Sequence, residues 1–151
     1  MLRHHGASED MILIVQNNLA ATYEKIGRLD DALRTQRDVY SGRLKLNGEE
    51  HEMTLRAANN YAMSLIDIKR FEEAKRLLRK MTPVARRVLG AENKITLSMR
   101  EDLSRATLDG DTSANEKRQA LRTLEEVAGI MRRVMGPAHP DTLHAQRKLE
   151  G

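Results

Sequence analysis

A period of 42 residues runs through this chain and narrows what it can fold into more than any other feature. Asn17-Asn18-Leu19-Ala20 returns 42 positions later as Asn59-Asn60-Tyr61-Ala62, and a weaker copy, Glu101-Asp102-Leu103-Ser104, stands 42 further on. Gly6, Gly48 and Gly90 keep the same step and Gly136 follows after 46. The last three each lie six residues before a Thr-Leu pair: Thr54-Leu55, Thr96-Leu97 and Thr142-Leu143. Ala32, Ala74 and Ala120 mark a third register whose second interval is again 46, so four residues are inserted between Leu108 and Glu116, in the segment DGDTSAN. A unit of this length cannot bury its apolar face alone. It must stack on its neighbours, and the stack is then quasi-one-dimensional.

Within one period the pattern reads as two helices. Leu13, Leu19, Ala20 and Tyr23 form one apolar face at helical spacing, Gly27 supplies the left-handed residue that ends a helix, and Leu29, Ala32, Leu33 and Val39 resume the stripe. Acidic pairs, Asp30-Asp31 and Glu72-Glu73, open the second helices, where the helix dipole favours negative charge, and Pro140 stands where a first helical turn accepts it. Composition agrees: Ala, Leu, Glu, Arg and Lys dominate, there is one Phe and no Trp, and only three prolines interrupt the chain. At 151 residues one domain is expected. Pro83 falls inside a second helix, where it removes a backbone hydrogen bond and collides with the preceding turn, so a kink or break is expected near Met81 to Pro83.

NNLAATYEKIGRLDDAL and the joints VLGAENKITL and VMGPAHPDTL resemble the 42-residue tetratricopeptide repeats of the kinesin light chain family. The likeness covers nearly all of the chain. It implies an all-α fold, a right-handed superhelix of stacked antiparallel helix pairs. As one domain over residues 1–151, repeat 1 spans about 7–47, repeat 2 about 49–89 and repeat 3 about 91–135, with the loop insertion near 109–115. An unpaired first helix of a fourth repeat occupies about 139–150, and its face is expected to expose Leu143 and Leu149, as in a fragment or a stack completed by another copy. Three departures stand out. Lys69 replaces the turn glycine in the second unit, and Ser104 and Thr107 weaken the third first-helix. The coiled coil by which a kinesin light chain joins its motor is missing from the sequence.

In that family the first helices line a concave groove and the second helices lie outside. The resemblance therefore places Ile14, Asn17, Ala21 and Glu24, then Arg56, Asn59, Met63 and Ile66, then Ser98, Glu101, Arg105 and Leu108 toward the groove. An amide both donates and accepts, so Asn17, Asn18, Asn59 and Asn60 suit the main chain of an extended peptide, and Arg56, Met63 and Arg105 would select its side chains. The family takes acidic, tryptophan-bearing peptides. Glu101 and Asp102 would repel such a ligand in the third unit, which implies one that is neutral or negative only near Arg56 and Arg105. A plainer reading of the same amides is that they bridge neighbouring helices.

The remaining readings are exclusions and alternatives. Lys75, Arg76, Arg79, Lys80, Arg86 and Arg87 put the excess positive charge on the second helices, which raises nucleic-acid binding as an alternative. Interleaved acids, a net charge of +4 and the lack of aromatics between the arginines make a solvated face the better reading. Self-association through the incomplete last repeat is a further alternative. No cofactor or metal site is expected: His4 and His5 lie in a loose terminus, His139 and His144 fall on different helix faces, and His51 and His139 hold equivalent repeat positions that suit a structural joint. With no phosphate-binding glycine loop, no Gly-x-Ser-x-Gly elbow and no cysteine, a non-enzyme is expected. The absence of cysteine, of a signal-peptide pattern at the start and of a bilayer-length apolar run sets the cytoplasm as the expected location.

Overall fold

A computed structural model of the chain describes residues 2–136 and 139–150, with side chains from residue 6 onward. The side chains of His4 and His5, and Pro137 and Ala138 of the last joint, lie outside the described residues. Among the described residues the elements are seven helices: α1 (Leu2–Lys25), α2 (Leu29–Asn47), α3 (Glu52–Asp67), α4 (Phe71–Leu89), α5 (Lys94–Asp109), α6 (Ala114–Met135) and α7 (Pro140–Glu150). Each packs on the next in the chain, and α3 also meets α5, so the pairs α1–α2, α3–α4 and α5–α6 stack in one direction as an α-solenoid. The 42-residue step is the repeat of one pair. Ala20 and Ala62 are fully buried and Ser104 nearly so, because a small side chain there lets the neighbouring helix approach.

The punctuation has local physical causes. His51 Nδ1 accepts the Met53 backbone N–H at 3.0 Å, Asn93 Oδ1 accepts that of Ile95 at 2.8 Å, and His139 Nδ1 accepts that of Asp141 at 3.2 Å. These three side chains, equivalent in the repeat, cap α3, α5 and α7 and satisfy donors that a helix start leaves open. The inserted loop between α5 and α6 ends in a capping box, with Ser113 and Glu116 bonded reciprocally. Gly27 adopts φ 81° between α1 and α2; its counterpart Lys69 is forced to φ 65° between α3 and α4. A left-handed residue with a Cβ costs about 1–2 kcal/mol. Lys69→Gly is therefore expected to stabilise the fold by about 0.5–1 kcal/mol after the entropy of the more flexible unfolded chain is subtracted. A urea midpoint that stays put or falls would refute this.

Several expectations need correction. α4 runs without a break from Phe71 to Leu89 through Pro83, so of the kink or break expected near Met81 to Pro83 the break does not occur. A mid-helix proline costs about 3 kcal/mol. Leu78, Met81 and Val84 on the same helix are core residues, each contributing about 1.5–3 kcal/mol by burial, while Pro83 turns its ring to solvent. Secondly, Leu19 is 43% exposed, and with Met11, Ile12 and Val15 it forms an uncovered apolar stripe on α1. At the other end Leu149 packs against the cluster of Leu97, Val127 and Met131, so only Leu143 of the expected pair is exposed. Thirdly, Lys75 does not belong to the outer basic face. Its side chain is 3% exposed and its ammonium pairs with Glu72 at 2.6 Å.

Candidate functional site

The first helices of the pairs, α1, α3 and α5, are joined along one face by polar contacts. Asn60 Nδ2 donates to Asn17 Oδ1 at 3.4 Å, Asn59 Nδ2 donates to Ser98 Oγ at 2.9 Å, and the Ser64 hydroxyl donates to Glu24 at 3.3 Å. Each bond links a helix to its equivalent in the next unit. Within the pair on α3, Asn59 turns toward the following unit and Asn60 toward the preceding one. Asn59 is buried, with Oδ1 lacking a partner among the described residues. Asn17 and Asn60 are half-buried, and Asn18 and Ala21 are exposed. Ile66, assigned to the groove by helical counting, is in the core instead.

Two hollows of about 170 Å³ open on this face. The first, between α1 and α3, is walled by Leu13, Ile14, Asn17, Arg56 and Asn60. Arg56 is exposed and held by Glu52 one turn away at 3.2 Å. The second lies between α3, α5 and α7 and is walled by Met63, Ser98, Glu101, Asp102, Arg105 and His144. Met63 is exposed, and Arg105 is half-buried and pairs with Asp67 across the α3–α5 step at 3.2 Å.

The acidic pair of the third unit behaves differently from two free charges. Glu101 is buried, 3.0 Å from Lys148 and 3.4 Å from His144 of α7. Asp102 is 4% exposed, and its Oδ2 has no hydrogen-bond partner among the described residues. Burial, and then the neighbouring Glu101 charge, push its carboxyl up to about 7, against the pull of Lys148 and Arg105. Near neutral pH Asp102 is thus ionised only in part, and the charge expected to repel an acidic ligand is muted. Asp102 itself was not among the candidate groove residues. The available signal was its place in the repeat, since Asn18 and Asn60 occupy the same position two units and one unit earlier.

The rest of the surface is charged, and part of that charge is paired. Arg70 meets Glu73, Arg87 meets Glu50 and Arg133 meets Glu92. Among the described residues no helix is long and apolar enough to cross a membrane.

Residues 11–87 match the sequence pattern of the tetratricopeptide repeat family. Two crystal structures of the nearly identical TPR-like repeats of a Podosopora anserina protein, described as a kinesin light chain, superpose with a TM-score of 0.77 at 25% identity. They are matched over 91% of this chain and 63% of their own length. BtubC (BKLC) from P. vanneervenii gives a TM-score of 0.62 at 17% identity, over 95% of this chain and 66% of that one, a likeness of fold. The chain therefore spans under two thirds of the length of each of these structures. No curated protein matches it.

Proposed function

The chain belongs to the tetratricopeptide repeat family, with repeats of the kinesin light chain type, and from this we propose that it is an adaptor or scaffold module that binds an extended peptide of a partner protein along α1, α3 and α5. Repeats of this family are generally protein-interaction modules, and stacked helix pairs present the long concave surface such a ligand needs. The observation that carries the reading is the first hollow, where aliphatic Leu13 and Ile14 adjoin the amides of Asn17 and Asn60 and the exposed guanidinium of Arg56. That combination supplies side-chain donors and acceptors for a peptide main chain, an apolar seat and one positive charge. Asn18 and Ala21 extend the same face on α1, and Asn59, Met63, Glu101 and Arg105 continue it toward α5. The ligand we infer is neutral overall or acidic where it passes Arg56. The module binds and does not catalyse, and its setting is cytoplasmic.

Peptides selected from a displayed random library on the native protein provide the test, with affinities read by fluorescence anisotropy. Asn18→Ala combined with Arg56→Ala is expected to weaken a selected peptide at least about tenfold, the equivalent of about 1.4 kcal/mol. Arg86→Ala, on the second-helix side, should leave it unchanged. Binding that ignores the first pair of changes and is lost with Arg86→Ala would overturn the groove assignment and return attention to the basic outer helices.

A further inference from the structure

A hollow of about 370 Å³ lies between α4, α5 and α6, away from the groove. Its walls include Arg79 and Thr82 of α4, Arg100 and Thr107 of α5, and Gln119 and Thr123 of α6. Comparison with the preceding unit shows how it arose. Thr82 stands where that unit has Tyr40, Thr107 where it has Leu65, Thr123 where it has Leu77, Gln119 where it has Glu73, and Arg100 where it has Ala58. In the preceding layer Tyr40 and Tyr61 stack with ring centroids 6.0 Å apart, and the hollow there is walled by Tyr61, Leu65 and Leu77. One inter-repeat layer has thus exchanged apolar walls for hydroxyls and brought a guanidinium, Arg100, into the wall, while Glu116 stands where the preceding unit has Arg70.

Two donors in this wall are left over. Arg100 Nη1 and Thr82 Oγ1 are buried without a hydrogen-bond partner among the described residues, although Arg100 Nη2 reaches Glu126 at 3.0 Å. The Arg100 side chain is only 12% exposed, so its charge is poorly hydrated. Glu116 is the one carboxylate lining the cavity, and it is engaged by the Ser113 hydroxyl at 2.8 Å and the Ser113 backbone N–H at 3.2 Å. Unpartnered buried donors next to a polar space call for an acceptor. A tetrahedral oxyanion offers several acceptors to donors arriving from different walls, and guanidinium is the group best matched to it.

We propose that this cavity binds a small phosphate monoester, its phosphate held by Arg100, Arg79 and the Thr82 hydroxyl. The remaining volume, lined by Gln119, Thr107 and Thr123, has the polarity to receive a hydroxylated carbon skeleton. The site lies on the second-helix side of α5 and is independent of the peptide groove.

Titration calorimetry and thermal melts with inorganic phosphate and glycerol phosphate, against glycerol and chloride at matched ionic strength, test it. Saturable binding of the two phosphates and a concentration-dependent rise in Tm are expected, with glycerol and chloride inert. Arg100→Gln should weaken glycerol phosphate at least about tenfold. Thr107→Leu, which restores the side chain of the preceding unit, should keep the fold and abolish binding. It decides the matter if Arg100→Gln fails to fold. No saturable binding of either phosphate, or binding that survives Thr107→Leu, would overturn the proposal.

Discussion

Asp102→Asn is expected to make the protein more stable at pH 8 and to flatten its stability between pH 4 and 8. The carboxyl sits at about 7 in the fold against an ordinary 3.8, raised by burial and by Glu101, while Lys148 and Arg105 oppose and Asp67 adds to the rise. Between those two values the folded chain holds a proton that the unfolded chain has released. Stability therefore falls as pH rises through this window, and the loss is complete above about pH 7. At about 1.4 kcal/mol per pH unit the full effect is on the order of 4 kcal/mol, and relaxation around the carboxylate will bring the measured value nearer about 2 kcal/mol. Asparagine already occupies this position in the two preceding units, at Asn18 and Asn60, so the fold accepts the amide. Urea midpoints of both proteins at pH 5 and pH 8 measure the difference directly. Parallel pH profiles would show that Asp102 is solvated in a way its burial denies.

Leu78→Ala should cost about 3 kcal/mol and be felt throughout the middle of the stack. Leu78 is fully buried in the large cluster that joins Leu33 and Tyr40 of α2, Leu55 and Leu65 of α3, Met81 of α4 and Met99 of α5. The C-terminal cluster is separate and smaller, built from Leu97, Val127, Ala128, Met131 and Ala145. Met131→Ala should therefore act locally. In a stack whose stability is a sum over neighbours, a lesion there loosens α6 and α7 and leaves α3 and α4 protected. Native-state hydrogen exchange resolves the two cases. Uniform loss of protection after Met131→Ala would mean that the stack unfolds as one cooperative unit.

How much of this could be read beforehand differs from residue to residue. The helix pairs follow from the period and from residues with local effects: Gly27 at its positive φ, the acidic pairs at Asp30-Asp31 and Glu72-Glu73, and the joint positions His51 and His139, whose capping bonds only the structure revealed. The Asn ladder was legible as a position. Its division of labour was not, because Asn17 and Asn18 look alike until the next helix is placed. Asn59 is then buried against Ser98 while Asn18 stays exposed.

Pro83 shows the same boundary from the other side. Local chemistry argues for a break, but burial of Leu78, Met81 and Val84 outweighs a single proline, and burial is a property of neighbours. Lys75, withdrawn from the outer face, Asp102, raised by its surroundings, and Arg100, beside an open cavity, are likewise set by which helix covers which face. The sequence by itself determined the repeat, the helices and the family, since these depend on contacts within a few residues. Only the tertiary structure decided which polar groups lose their water, because desolvation depends on residues brought together from about one repeat away in the chain.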